Sequence, residues 1–109
     1  MALLTPQQIK ITGLAPVLAA ANSTDTVAAD ERVFLLYRNT NAATRTITVV
    51  TPTKLDQYGQ ALPDIVITIA ATTGEERIGP MTQDLADSTG LVTVNLSATA
   101  NVTVAAIRI

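Results

Sequence analysis

Short runs in which threonine alternates with valine or isoleucine limit most strongly what this chain can fold into. The clearest runs are residues 46–49 and 92–96. Successive side chains of a β-strand point to opposite faces of its sheet, so this alternation separates aliphatic from hydroxyl-bearing side chains. β-Branched residues also favour strands. The alternation therefore predicts strands that are buried on one face.

Comparable runs recur along the chain between turn residues. Residues 33–37 predict a strand buried on both faces, and together with residues 44–51 they predict an antiparallel hairpin. Further strands are predicted at residues 9–12, 65–70, 76–78, 91–96 and 102–109, with a strand or an irregular crossing at residues 17–21. About seven or eight short strands at this spacing predict an all-β fold, a single-domain antiparallel β-sandwich or barrel that is jelly-roll-like.

The N-terminal residues follow a different pattern. Thr5, Pro6 and Gln8 form a capping-box pattern, but no apolar helical stripe follows them. This pattern predicts at most one helical turn, and the other interpretation is a flexible arm that becomes ordered on a partner. We therefore divide the chain into an N-terminal arm, residues 1–8, and a β-domain, residues 9–109.

Length and composition agree with one globular domain. The chain has 109 residues, of which 48% are hydrophobic but only 3% aromatic. The core should therefore be aliphatic, with Phe34, Tyr37 and Tyr58 as its few large side chains. Charged residues make up 15% of the chain, against about 25% in typical domains. Such scarce charge suggests that a partner covers part of the surface.

The residue inventory argues against several functions. The chain contains neither histidine nor cysteine, so Ser-His-Asp and Cys-His catalytic sites and most zinc sites cannot form. The seven basic residues are scattered, which argues against nucleic-acid binding. The apolar stretch at residues 13–21 is too short to span a membrane and lacks a basic region before it. We therefore expect no enzyme, no cofactor, no membrane or nucleic-acid partner, and synthesis in a cytosol.

The carboxylates were considered as candidate ligands or catalysts. Most of the nine acidic residues lie in turns, where solvated side chains are the expected state. Asp84, Asp87 and Ser88 offer oxygen ligands that suit calcium, but their spacing matches no dedicated calcium loop. A capped turn is the favoured interpretation, and we expect no metal site.

Residues 102–109 carry apolar side chains at both alternating positions. One interpretation is a central strand of the sandwich with a bulge at Ala105 and Ala106 that shifts the register. The other is that one face of this strand meets another subunit, since exposed apolar strands otherwise promote aggregation. The sequence leaves both interpretations open.

Four segments carry a resemblance to a known family: residues 2–9, residues 32–35 leading to Asn39, residues 78–80 and residues 102–109. They resemble the small head decoration, or capsid cement, proteins of tailed bacteriophages. It implies a β-sandwich or barrel on the outside of a capsid, at three-fold or quasi-three-fold positions, where it bridges major capsid protein subunits.

From this resemblance we predict a non-enzymatic virion structural protein on the capsid exterior. Its expected partners are the major capsid protein and further copies of itself, with a trimer favoured. The predicted contact residues are Ala2, Leu3, Leu4, Thr5, Pro6, Ile107 and Ile109. The alternatives are a tail or fibre-associated β-module and, with less support, a carbohydrate-binding accessory domain.

Overall fold

A computed structural model describes residues 2–51 and 63–109. The predicted long loop at residues 53–63, including Tyr58, lies almost entirely outside the described residues. Ten strands and one short 3₁₀ helix follow one another in the order β1 (Ala2–Leu4), β2 (Gln7–Gln8), β3 (Ala19–Ala20), β4 (Thr24–Ala28), β5 (Val33–Asn39), β6 (Arg45–Val49), β7 (Ile65–Ile69), β8 (Gly74–Ile78), η1 (Gln83–Leu85), β9 (Leu91–Leu96) and β10 (Val102–Arg108). The predicted all-β fold is confirmed.

The strands form two sheets that pack face to face. Sheet I has the order β1-β4-β9-β6-β7, and sheet II has the order β2-β10-β5-β8. Strand β3 also pairs with β10, at Thr103 and Val104, while β2 pairs with β10 at Ile107 and Arg108. Since β5 occupies the other edge of β10, strands β2 and β3 lie end to end along the same edge.

Strands β3 to β10 pair in a nested way. Strand β3 pairs with β10, β4 with β9, β5 with β8 and β6 with β7, and all four pairs are antiparallel. The arrangement is that of one long hairpin wound around a common core, which is the strand order of a jelly roll. The two parallel pairs, β1 with β4 and β2 with β10, are added by the N-terminal residues.

The core lies between the two sheets and is aliphatic, as expected. Phe34, which was expected in the core, instead lies half-buried on the outer face of sheet II. Alternate residues of β5 and β10 meet alternate residues of β4, β6, β7 and β9, because side chains of a strand alternate between faces. The largest fully buried side chains are Tyr37, Leu35, Ile47, Ile69 and Met81. Strand β5 is buried on both faces as predicted, since Leu36 on its outer face packs with Ala105 and Ile107.

The predicted hairpin of residues 33–37 with residues 44–51 is wrong. Strand β5 belongs to sheet II and β6 to sheet I, so the connection between them crosses from one sheet to the other. The side chain of Asn39 directs this crossing: its Nδ2 donates to the carbonyls of Ala43 (2.9 Å) and Ala70 (3.1 Å). Its Oδ1 accepts the amide of Asn41 at 3.0 Å. A fully buried amide thereby ends β5 and turns the chain.

The N-terminal residues also differ from expectation. Instead of a helical turn, residues 2–8 supply β1 and β2, which pair with both sheets. The strand expected at residues 9–12 is replaced by a turn in which the amide of Gly13, with φ of 97°, donates to the carbonyl of Lys10 at 2.8 Å. The alternation of residues 9–12 predicted a strand, but Ile11 does not face the core and is fully exposed.

The bulge considered at Ala105 and Ala106 is absent from β10. Its register with β5 runs unbroken from Val102 opposite Asn39 to Arg108 opposite Val33. The two alanines therefore lie on opposite faces, and both are buried because each face of β10 is covered. The covered outer face meets Leu14 and Leu18 of the segment between β2 and β3.

Candidate docking surface

The outer face of sheet I is built from the polar half of the alternating strands. Register places Leu3, Thr26 and Thr93 in one row across β1, β4 and β9. The next rows add further threonines and short neutral side chains. We call this surface the threonine face, and it consists of Leu3, Thr24, Thr26, Thr46, Thr48, Val66, Thr68, Thr93 and Asn95.

The threonine face carries no charge on any strand of sheet I that the structure describes. Its side chains contact one another, and Thr24 Oγ1 donates to Asn95 Oδ1 at 2.8 Å. Cross-strand threonine pairs are favourable neighbours in a sheet. A partner that covers this face removes hydroxyl groups from water, which costs far less than removing a charge. The surface is therefore suited to contact with another protein.

The outer face of sheet II is different. Leu14 and Leu18 cover its apolar part, where they pack against Leu36, Ala105 and Ile107. Gln7 anchors this covering segment, because its side chain both donates to the carbonyl of Val17 (2.9 Å) and accepts the amide of Val17 (3.0 Å).

The rest of the outer face of sheet II is charged. Glu75 forms ion pairs with Arg38 at 3.3 Å and with Arg77 at 2.8 Å. The outer face of sheet II is thus covered or charged. In the described part of the chain the outer face of sheet I is neutral, with Thr26 buried and its other residues half-buried or exposed.

The predicted contact residues occupy separate places. Leu3 is 62% exposed at the edge of the threonine face, whereas Leu4 points inward and packs against the core. Ala2 lies opposite Asp25 in β1. Thr5 is exposed and Pro6 half-buried where the chain passes from sheet I to sheet II.

The two C-terminal residues predicted as contacts lie on sheet II. Ile107 is 4% exposed beneath the covering segment, and Ile109 is 66% exposed. The structure does not unite them with Leu3 in one surface. Sequence reasoning missed the threonine face, although the alternation that predicted the strands also marked the residues on this face.

A shallow cavity of about 470 Å³ lies beside Ile109 and is lined by Phe34, Pro80 and Arg77. Glu31 is the single carboxylate among the lining residues that the structure describes. Most glycoside hydrolases use a pair of positioned carboxylates. The described lining offers apolar contact area and not this chemistry.

The buried polar groups serve the fold. Tyr37 is fully buried in the core, and its burial raises the pKa of the phenol, with the negative charge of Asp25 adding to the effect. Asp25 is held by Asn22, whose amide and side chain donate to the two carboxylate oxygens at 3.1 Å each. Neither group lines the cavity beside Ile109.

The segment considered for calcium is a capped turn. Asp87 Oδ1 accepts the amide of Thr89 at 2.8 Å and the amide of Leu91 at 3.3 Å. These bonds and the Thr89 hydroxyl lower the pKa of Asp87. Within residues 2–51 and 63–109, no group of three or more carboxylates is placed to hold a metal ion.

In the described part of the chain, no helix has the length and apolar character needed to cross a membrane. Comparisons with family models, with curated proteins and with solved structures found no match for this chain. A function for this chain therefore rests on the threonine face and on the resemblance in sequence.

Proposed function

We propose that this protein is a non-enzymatic virion structural protein that binds the outside of a phage capsid and stabilises the shell. The observation that carries the proposal is the neutral threonine face, which is half-buried or exposed at every position but Thr26, while the opposite face is covered or charged. The sequence resemblance to head decoration proteins supplies the class of partner, the major capsid protein.

The proposed mechanism is mass action. A protein that binds only the assembled, expanded lattice stabilises that lattice by the free energy of binding. Many equivalent sites on one shell multiply a modest contact, so each copy needs only a limited interface. Threonine methyl groups supply apolar area and the hydroxyl groups supply hydrogen bonds, which suits a face that must be soluble before it docks.

Exposure and packing suggest different parts for three of the expected contact residues. Leu3 extends the threonine face with an exposed apolar side chain, so it is the best candidate for direct contact. Leu4 stabilises the domain, because it packs against the core. Ile107 acts indirectly by supporting the segment that covers sheet II.

Co-sedimentation with expanded and unexpanded shells tests the proposal. Thr48 lies in the middle of the threonine face, so Thr48→Glu places a charge under the docked partner. Thr103→Glu is the matched control on the outer face of sheet II, next to Arg38. We expect Thr48→Glu to weaken shell binding at least tenfold and Thr103→Glu to leave it unchanged.

Two results would contradict the proposal. Absence of binding to expanded shells would exclude decoration, and binding to purified tails instead would favour the tail-module alternative. Equal binding by Thr48→Glu, Thr103→Glu and the unmodified chain would show that the threonine face is not the docking surface. The trimer that the resemblance favours concerns copies clustered at three-fold positions on the shell, and light scattering tests whether the free protein also forms it.

A further inference from the structure

The two sheets have four edges, and three of them are protected against further pairing. Strand β1 has three residues, while β2 and β3 have two each. Strand β8 is longer but carries Glu75, Glu76 and Arg77. Short strands and charged side chains are the usual means by which proteins prevent edge-to-edge association.

Among the described residues, nothing protects the fourth edge, strand β7, in this way. It contains Ile65, Val66, Ile67, Thr68 and Ile69, with neither a charge nor a proline. It pairs with β6 on one side, and no other described strand pairs with its second side. Ile65 is 47% exposed and Val66 is 62% exposed.

The hydrogen bonds of β6 show which groups of β7 are free to pair. Thr46 directs its main-chain groups towards β9, because its amide meets Ser97 Oγ at 2.9 Å and its carbonyl accepts the amide of Ser97 at 2.9 Å. Antiparallel strands alternate the direction of these groups from residue to residue. Ile47 therefore bonds to Ile67 of β7.

The same alternation continues along β7. If Ile67 directs its amide and carbonyl to β6, its neighbours Val66 and Thr68 direct theirs to the open edge. A strand that pairs there meets two donors and two acceptors, framed by uncharged β-branched side chains.

This edge is complementary to itself. An antiparallel pairing with a two-fold axis at Ile67 sets Val66 opposite Thr68 of a second copy, and Thr68 opposite Val66 of that copy. Each of these two pairs exchanges two main-chain bonds, so all the free groups are used. The opposed side chains are neutral and β-branched, which is favourable across strands.

Apolar area supports the same pairing. Ile65 and Ile67 line an opening of about 250 Å³ between the sheets, together with Ile78, Met81 and Leu85. In the two-fold pairing, Ile67 lies opposite Ile67 of the second copy, and Ile65 lies opposite Ile69 of that copy, whose side chain is already buried. The half-exposed isoleucines at this opening are thereby covered.

We propose that β7 is a self-association edge that joins two copies of this chain into a continuous sheet. The inference does not depend on capsid binding, because it concerns the free protein. One five-residue strand pair buries less than the roughly 800 Å² per partner of a standard interface, so we expect a weak dimer with a dissociation constant on the order of micromolar or higher.

Sedimentation equilibrium of the full chain, from about 1 μM to about 1 mM, tests the proposal. We expect a monomer–dimer equilibrium that Val66→Lys weakens at least tenfold, because the substitution sets two ammonium groups in the pairing. Thr48→Lys is the matched control, since Thr48 lies beside Val66 on the same face but away from the edge.

Three results would overturn the proposal. The first is a monomer at every concentration, and the second is an association constant that Val66→Lys leaves unchanged. The third is a Thr48→Lys variant that weakens association as much as Val66→Lys does, because this would assign the contact to the sheet face. Circular dichroism verifies that each variant is folded.

A second variant and a second measurement keep the test independent of the added charge. Thr68→Pro removes an amide that points to the open edge, so it deletes two of the four bonds between copies and spares the pairing with β6. Thr68→Ala is its control and should leave the association constant within about threefold.

Amide hydrogen exchange of Val66 and Thr68 should slow as concentration rises, while exchange of Ile67 stays constant. Unchanged exchange at Val66 and Thr68 in an associated sample would refute pairing at β7.

Discussion

Replacing Asn39 with alanine tests whether one buried amide holds the crossings between the sheets. Asn39 is fully buried at the end of β5. Its side chain bonds the carbonyls of Ala43 and Ala70 and the amide of Asn41. Ala43 lies in the connection from β5 to β6, and Ala70 lies in the connection from β7 to β8. Both connections pass between sheets, so a single side chain links them.

The cost of Asn39→Ala follows from these three hydrogen bonds. A typical intramolecular hydrogen bond contributes about 1 kcal/mol, and a buried group left without a partner costs about 1–3 kcal/mol. Three lost bonds therefore predict a loss of about 3 kcal/mol in the free energy of unfolding. Domains are stable by only about 5–15 kcal/mol, so this loss is a large fraction of the total.

Urea unfolding at neutral pH measures this loss, provided the slope of free energy against denaturant stays constant. Asn39→Asp is the second variant. It preserves the shape of the side chain but places a carboxylate beside two carbonyl oxygens, so it should lower the free energy of unfolding at least as much as Asn39→Ala. Asn41→Ala is the control, because its side-chain bonds to Ala43 and Asn101 are exposed, and it should cost less than about 1 kcal/mol. A loss below about 1 kcal/mol for Asn39→Ala would refute the reasoning.

Three further predictions concern stability. The neutral phenol of Tyr37 is favoured in the folded state because burial raises its pKa, while an unfolded tyrosine ionises near pH 10, so stability should fall as pH rises above about 10. Tyr37→Phe should reduce this loss of stability at high pH. At neutral pH it should change the free energy of unfolding by less than about 1 kcal/mol, and urea unfolding at neutral pH and above about pH 10 measures both effects. Gly74→Ala should cost more than about 2 kcal/mol in the same assay, because the new Cβ would lie 1.9 Å from the carbonyl oxygen of Ala70. The hydroxyl of Thr89, followed by the amides of Thr89 and Leu91, lowers the pKa of Asp87 in the folded state. The ionised carboxylate therefore stabilises the fold above the unfolded pKa near 3.9, and this stabilisation is lost as pH falls through the lower folded pKa. Asp87→Asn should therefore reduce the acid dependence of the melting temperature, and an unchanged dependence would contradict this.

Local patterns predicted strands β5 to β10, because their period-two alternation follows from backbone geometry, but they missed β1, β2 and β4. Residues 91–96 and 65–69 form the predicted strands, and Ile65, Ile67 and Ile69 share a face as expected. The double burial of β5 was also predictable, since five consecutive apolar residues leave neither face for water.

Strand pairing was not predictable in the same way. Neighbours in sequence, such as β5 and β6, suggest a hairpin, but the buried bonds of Asn39 send the chain to the other sheet. The parallel pairing of β1 with β4 carries no local signal either, because it depends on where β4 lies once the sandwich has formed. A polar residue at the end of an apolar strand is the one sequence cue that marked this crossing.

The candidate surface was predictable only in part. The resemblance named Leu3 as a contact residue, and Leu3 is exposed at the edge of the threonine face. It also named Ile107, which the chain itself covers, since the segment of Leu14 and Leu18 that lies over it has no strand or helix pattern. Whether an irregular segment covers a sheet face depends on tertiary packing, so the sequence pattern does not predict it.

The nested pairing has a consequence for synthesis on the ribosome. Strand β10 lies in the middle of sheet II, between β5 on one side and β2 with β3 on the other. Until residues 102–108 have left the exit tunnel, β5 lacks its longest partner and β2 and β3 have none among the described strands. Among the described pairs, β6 with β7 and β1 with β4 join the strands that lie closest in sequence, so these pairs can form earliest. The nascent chain therefore holds β2, β3 and one edge of β5 unpaired until β10 is synthesised, and unpaired strand edges promote aggregation.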